Sequence, residues 1–272
     1  YTIAIDVIMP DGRTLQVASV HHYRDQWAKA FNVKYEGESG EQKYVHQTTY
    51  GMSERLLGAT VATHGDDKGL IMPPSVAPFQ VVVIPILSKK GSEEIMTVAN
   101  EIVNTLKSEK IRVKLDNRDI RPGQKYYDWE IKGVPLRIEI GPRDLKSNSF
   151  MCARRTGEKS AFSLDELQTS VRNELDLVNR DMNLNAKTHF KNSIKKMPNF
   201  KFEGSDIVLE QKMKDGFVYE MAFDGNDAEA EMIENGTGFS FLGESTMPYD
   251  EDKKCILSGR LTKKRIFLAK AY

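Results

Sequence analysis

Apolar and polar positions alternate from Thr2 to Ile8, a period of two that sets up a half-buried strand. Pro10-Asp11-Gly12 supplies a turn, and the alternation resumes over residues 15–20. A short helix is expected around residues 25–31, then strands at 32–35 and 43–50 on either side of a charged turn at 36–41. This antiparallel meander runs into Gly51-Met52-Ser53-Glu54-Arg55-Leu56-Leu57-Gly58-Ala59, whose small and apolar residues suit a buried helix. A strand therefore feeds a helix N-terminus. Residues 71–78 hold Pro73, Pro74 and Pro78, which fit neither a helix interior nor a central strand, and read as a connector.

Beyond it the pattern changes. Residues 80–86 (QVVVIPI) form a continuous apolar run, as in a strand covered on both faces. Residues 92–108 place Ile95, Val98, Ala99, Ile102 and Leu106 on one helical face, and 111–115 alternate again, giving a strand-helix-strand unit that favours a parallel pair. A helix at 124–132, a strand at 134–140 and another around 150–154 follow. Ser163-Leu164-Asp165-Glu166 has capping-box spacing and opens a long polar helix toward Lys196. After Met197 come short apolar pieces, turns at Asp215-Gly216 and Asp224-Gly225, a charged loop at 250–254 and a strand-like run at 265–269. The fold class expected is α+β and α/β multidomain: an antiparallel sheet segment over 1–75, an α/β domain with a mixed sheet over 76–185, and a small α+β module over 186–272.

Composition narrows the partners. Of 272 residues 40% are apolar, enough for real cores, and 39 Lys plus Arg balance 39 Asp plus Glu. Zero net charge argues against unspecific polyanion binding, so any nucleic-acid contact is expected to be local. Cys152 and Cys255 lie too far apart for a secretory framework, which points to a reducing, cytoplasmic setting. No stretch approaches the roughly 18 apolar residues of a membrane span. The chain starts on Tyr1 inside a strand pattern, so it is expected to begin within a domain.

A helix N-terminus fed by a strand offers backbone N–H groups to a triphosphate; Arg55 can add a cation and Ser53 a hydroxyl. Spacing alone favours an ordinary surface arginine. His64 beside Asp66 and Asp67 offers metal-type donors, but carboxylates at a helix end more often build caps and turns, so no metal is assigned there.

The run Gln47 to Ala59, followed by His64-Gly65-Asp66-Asp67-Lys68-Gly69-Leu70 and Pro73-Pro74, resembles motif 3 of class II aminoacyl-tRNA synthetases, in the form seen in archaeal- and eukaryotic-type prolyl-tRNA synthetases. That resemblance implies that Arg55 holds the ATP γ-phosphate and Ser53 also touches ATP. Leu15-Gln16-Val17-Ala18-Ser19-Val20-His21 is similar to the family's L-Q-x-G-T-S-H strand, which implies ATP contacts for Gln16 and Ser19 and a proline-lining role for His21; Ala18, Ser19 and Val20 depart from G-T-S. Residues 116–119 (DNRD), 127–135 (YDWEIKGVP) and 137–145 (RIEIGPRDL) resemble the anticodon-binding domain of the glycyl, histidyl, prolyl and threonyl enzymes. Carboxylates accept from guanine N1 and N2, and the resemblance implies Glu130, Asp144 and Lys159 at the anticodon, with Arg137 close by. On the residues alone, Glu130 and Lys132 are a solvated helix face and Glu139 and Arg143 sheet-edge charges.

The last module resembles the family's C-terminal zinc module, whose four cysteines fall here on Asp224, Glu229, Cys255 and Ser258. One thiol remains, so no structural zinc is expected. The closing residues 267–272 match the module's end, which implies that the Tyr272 carboxylate reaches the catalytic domain; a frayed tail is the ordinary alternative. Taken together, the resemblance implies a cytoplasmic, homodimeric ligase that makes prolyl-adenylate from ATP and L-proline, with Mg2+ on the phosphates, and passes the prolyl group to tRNA(Pro). Motifs 1 and 2 are expected before Tyr1, which would leave this chain inactive alone. A noncatalytic tRNA-binding relative and a sister threonyl, glycyl or histidyl synthetase stay open.

Overall fold

The apolar run after Gln80 becomes the strand Val81–Pro85, every residue of which is buried. The computed structural model describes residues 1–87, 92–203 and 206–272. They form two units, one of Thr63–Thr188 and one that joins Tyr1–Ala62 to His189–Tyr272.

In the first unit five strands run in the order Lys159–Ser163, Ser149–Arg154, Leu136–Ile140, Val81–Pro85, Val113–Leu115. Val81–Pro85 pairs parallel with both neighbours, as the strand-helix-strand pattern predicts, and the other two pairings are antiparallel. Val81 and Val83 join a core with Ile95, Ile102 and Leu106 of the helix Ser92–Ser108 and Val171 and Val178 of the helix Leu167–Ser193. Val82 and Ile84 point the other way, to Trp129 and Val134. Burial on both faces is why this strand cannot alternate.

Two carboxylates lock the helix Pro122–Ile131 and the preceding turn onto this sheet. Asp116 is buried and accepts from Trp129 Nε1 at 2.7 Å and from Arg118 Nε and Nη2 at 2.9 and 2.7 Å. Lys125 Nζ donates to its backbone carbonyl, and Arg118 also reaches Asp128. Asp66 takes the Arg155 guanidinium end-on through Nη1 and Nη2, with 2.9 Å from Nη1 to Oδ2, while Arg155 Nε donates to the carbonyl of Glu130. Asp66 thus builds a turn, accepting also from the Lys68 N–H.

The second unit carries a three-stranded antiparallel sheet, Thr2–Ile8, Thr14–Arg24 and Gln47–Met52. It also holds a four-stranded sheet ordered Ile194–Lys196, Val218–Ala222, Arg265–Ala269, Ser240–Glu244. Ile8, Val218 and Ala269 share a core cluster that joins the two. At the 10–12 turn Gly12 has φ +79° and lies against Gly216; a Cβ there would fall 2.1 Å from the Gly216 carbonyl carbon. The chain end is pinned to the same hairpin: Tyr272 N–H donates to Thr14 O at 3.1 Å and its hydroxyl to Asp11 Oδ2 at 2.8 Å. The tail is therefore anchored, not frayed.

Several expectations change. The strand expected over 43–50 is two strands, Gln42–Tyr44 paired with Lys34–Glu36 and Gln47–Met52 paired with Thr14–Arg24, because the chain exchanges partners at Val45-His46. The long helix stops at Ser193, since Ile194–Lys196 finds a parallel partner in Val218–Glu220. The helix Arg55–His64 is exposed over its first turn, Arg55 to Gly58, and half-buried beyond it, with Ala59 its one fully buried residue. The short helix Pro142–Lys146 and the strand Lys159–Ser163 were not expected.

Burial opposes the charge on Asp116, but hydrogen bonds from Arg118 and Trp129 outweigh it and hold the carboxyl at about 2, against an ordinary 3.8. A depressed folded value means the cluster's contribution is whole above about pH 4 and is lost as pH falls through about 2. In a Trp27→Phe background, which leaves Trp129 as the single tryptophan of the two present, fluorescence should hold steady from neutral pH to about 4 and change below it. Asp116→Asn should cost roughly 1–3 kcal/mol at neutral pH, read by urea unfolding, because Arg118 is half exposed and water can replace part of what it loses. Gly12→Ala should destabilise the second unit by more than about 1 kcal/mol in the same measurement, from positive φ and the clash with Gly216.

Candidate functional site

Strand pairing brings the first group of residues onto one face. Asp6 lies opposite Gln16 and Ile5 opposite Ala18, so Val17 is an extra, bulged residue. In a regular strand Gln16 and Ser19, three apart, would point to opposite faces. The bulge resets the alternation, so Gln16, Ser19 and His21 share the face of Thr2, Ala4 and Asp6. Across the next pairing Ser19 faces Gly51 and His21 faces Thr49. Gly51 presents no side chain there, and even a Cβ would stand 3.7 Å from Ser19 Oγ.

His21 is held at both ring nitrogens, Nε2 lying 2.9 Å from Ser19 Oγ and Nδ1 2.9 Å from Thr2 Oγ1, and its ring stacks on Tyr23 at 5.4 Å. Both partners are hydroxyls, which can donate or accept, so the contacts fix the orientation of the ring. Ser53 Oγ accepts from the Arg55 N–H at 3.4 Å at the start of the helix Arg55–His64. Arg55 is exposed and forms no ion pair among the described residues. The structure thus joins Ser19 to His21 and Ser53 to Arg55; among the described residues no side-chain hydrogen bond ties Gln16 to either pair. A cavity of about 450 Å³ on the same face is lined by Thr2, Ala4, Asp6, Thr14, Glu244 and Thr246. Burial raises the Asp6 pKa.

The second group sits on the five-stranded sheet. The registers set Lys159 opposite Ala153, Ala153 opposite Arg137 and Arg137 opposite Val82, one row across four strands. The small Ala153 leaves a cavity of about 120 Å³ bordered by Glu130, Arg137, Lys159 and Lys68. The charges of this group meet on Glu139, which as a sequence position reads as a sheet-edge charge. Glu139, 3% exposed, accepts from Arg137 Nε at 3.0 Å, Lys159 Nζ at 2.8 Å and Tyr126 OH at 2.9 Å. Burial opposes its charge, yet the donors from Lys159, Arg137 and Tyr126 prevail and its carboxyl titrates below the ordinary range. Burial, then Glu139 itself, pushes the Tyr126 phenol up. Arg137 also lies 3.5 Å from Glu130 Oε1, and its guanidinium stacks 4.1 Å over the Tyr126 ring. Asp144 instead caps the helix Pro142–Lys146, its Oδ2 accepting the Gly141 N–H at 2.9 Å, and touches this network through its charge on Tyr126. The signal that could have found Glu139 is the Arg-x-Glu spacing of 137–139, which puts opposite charges on one strand face.

At the positions that resemble zinc ligands, the donors bind one another. Ser258 Oγ donates to Asp224 Oδ1 at 2.9 Å, Arg260 Nε sits 3.0 Å from Asp224 Oδ2, and Ser258 N–H lies 3.5 Å from Cys255 Sγ. The Cys255 thiol, first, and Ser258 lower the Asp224 pKa. Glu229 accepts the Asn226 N–H at 2.8 Å in a capping box of the helix Asp227–Thr237. One thiol and a guanidinium in place of the cation do not fit a tetrahedral zinc.

The Anticodon binding domain family matches residues 80–174. A proline–tRNA ligase of Methanosarcina mazei is 42% identical over 275 residues, covering 100% of this chain and 56% of the relative. One from Thermococcus kodakarensis is also 42% identical, with 100% and 56% covered. The structure of Giardia lamblia prolyl-tRNA synthetase in complex with prolyl-adenylate superposes with a TM-score of 0.88 at 28% identity, covering 100% of this chain and 59% of that one. The chain spans about half the length of the curated relatives it matches. Sequence, fold and domain match agree that the chain is similar over its whole length to part of the prolyl-tRNA synthetases and carries an anticodon binding domain at residues 80–174.

Proposed function

We propose that the chain works as part of a proline–tRNA ligase, which activates L-proline with ATP and transfers it to tRNA(Pro). The observation that carries this reading is the bulged strand, which sets Gln16, Ser19 and His21 on one face beside a helix start whose Arg55 is uncommitted. In the proposed reaction a carboxylate oxygen of proline attacks the ATP α-phosphorus, the bond to the β-phosphate bridge breaks, and pyrophosphate leaves. A terminal ribose hydroxyl of tRNA then attacks the acyl carbon and AMP departs. Arg55 and Ser53 are assigned to ATP, with Arg55 neutralising the γ-phosphate end of the leaving group. Gln16 and Ser19 are assigned to ATP and His21 to the wall of the proline site. Mg2+ would travel with the triphosphate, and no residue of this chain is assigned to it.

Glu130, Arg137, Asp144 and Lys159 are assigned to the anticodon. Residues 1–75 would contribute to the catalytic domain, 76–185 to anticodon binding and 186–272 to a module that holds together without zinc. The homodimer and the cytoplasmic location belong to the same reading; among the described residues no helix is long and apolar enough to cross a membrane.

Arg55→Ala, introduced into the ligase and assayed by proline-dependent pyrophosphate exchange, should slow the reaction about 100- to 1,000-fold; an unchanged rate rejects the assignment. Exchange with another amino acid in place of proline would point to a sister enzyme. Excess chelator should leave the melting temperature of the purified chain unchanged, whereas Arg260→Met should lower it by uncovering Asp224; a chelator-induced drop would show that a metal supports the module.

A further inference from the structure

Arg137 stands between two carboxylates, and they are not equivalent. Glu139 is buried and takes Nε at 3.0 Å, while the side chain of Glu130 is one-third exposed and lies 3.5 Å from Nη1. The guanidinium plane is fixed by the Tyr126 ring 4.1 Å below it, and Tyr126 is itself anchored on Glu139. Lys159 completes the charge balance on Glu139 from the neighbouring strand. Glu130 therefore keeps Oε2 without a partner among the described residues, beside the cavity bordered by Lys159.

A carboxylate reads the Watson–Crick edge of guanine with both oxygens, since N1–H and N2–H donate side by side. A guanidinium is the strongest competitor for the same two oxygens, because it offers the same paired donors with a full charge. We infer that Glu139 is a positioning residue for guanine recognition: by taking the nearer side of the Arg137 guanidinium it limits Arg137 to one long contact with Glu130 Oε1, so that Glu130 stays open through Oε2 to an unstacked guanine of a single-stranded loop. The inference rests on the proposed anticodon role of Glu130. With Glu139 neutralised, Arg137 loses its better partner and closes onto Glu130, and the exposed carboxylate is masked by a residue of its own domain.

The test measures binding of the 272-residue chain to two RNA stem–loops, one with two adjacent guanines in the loop and one with adenines in their place. Wild type should favour the guanine loop. Glu139→Gln keeps the side-chain volume and should lower that preference about tenfold, with binding read below the melting temperature of each variant. In an Arg137→Met background, where no guanidinium remains to mask Glu130, the same change should alter the preference less than about twofold. Glu139→Asp, which keeps the charge but shortens the reach, serves as a second variant and should lose preference in the same direction. A folded Glu139 variant that discriminates as wild type does, or a full further loss in the Arg137→Met background, overturns the inference while leaving the anticodon reading intact. Failure of the wild-type chain to prefer the guanine loop removes the anticodon reading and this inference with it.

Discussion

Burial of Val81–Pro85 on both faces and hydrogen bonding along both edges is the constraint on which the sheet of the Thr63–Thr188 unit depends. A strand with no solvent face cannot slip by one residue without trading Val81 and Val83 for Val82 and Ile84 between two differently shaped cores. Its register fixes that of Leu136–Ile140, which fixes Ser149–Arg154 and then Lys159–Ser163. The row Val82, Arg137, Ala153, Lys159 follows from that chain of pairings. Residues up to 77 positions apart thus meet through backbone register rather than local sequence.

On this frame, ionised carboxylates are retained where the chain supplies enough donors. A buried charge left without partners costs several kcal/mol, so each such site has to be satisfied as a group. Asp116 is met by Arg118 and Trp129, Glu139 by Arg137, Lys159 and Tyr126, and each titrates below its ordinary range despite burial. Such networks restrict side chains to one arrangement, which suits surfaces that must present fixed donors and acceptors. Two acidic residues that look alike in sequence, Glu130 and Glu139, end in opposite situations, one partly exposed and one internal.

The other unit reaches its geometry through local irregularity. One bulge at Val17 moves Gln16 onto the face of Ser19 and His21, a change that alternation read from sequence assigns the wrong way. At the segment that resembles a zinc module, the turn at Cys255 is closed by hydrogen bonds, with Gly259 at φ +70° and Arg260 on Asp224. A charge-assisted network thereby links the strand ends that a metal would otherwise cross-link.

The sequence by itself determined the elements whose periodicity is long or unbroken: Thr2–Ile8, Val81–Pro85 with its parallel neighbours, the helix Ser92–Ser108 and the Ser163 cap of the helix that follows. It also carried the likeness to prolyl-tRNA synthetases, because the runs around Arg55, His64 and Trp129 are specific as contiguous words. What it could not decide were partner exchanges and side-chain fates that depend on distant chain. Nothing local at Val45-His46 marks a change of strand partner, and nothing local to Ile194–Lys196 tells that Val218–Glu220 waits beside it. Glu139 is a polar position in an alternating strand, and only the helix Pro122–Ile131 and the strand Lys159–Ser163, brought over it by the fold, turn it into a buried acceptor. Burial and pairing are properties of the assembled sheet, so tertiary structure alone decided which charges face solvent and which hold the others in place.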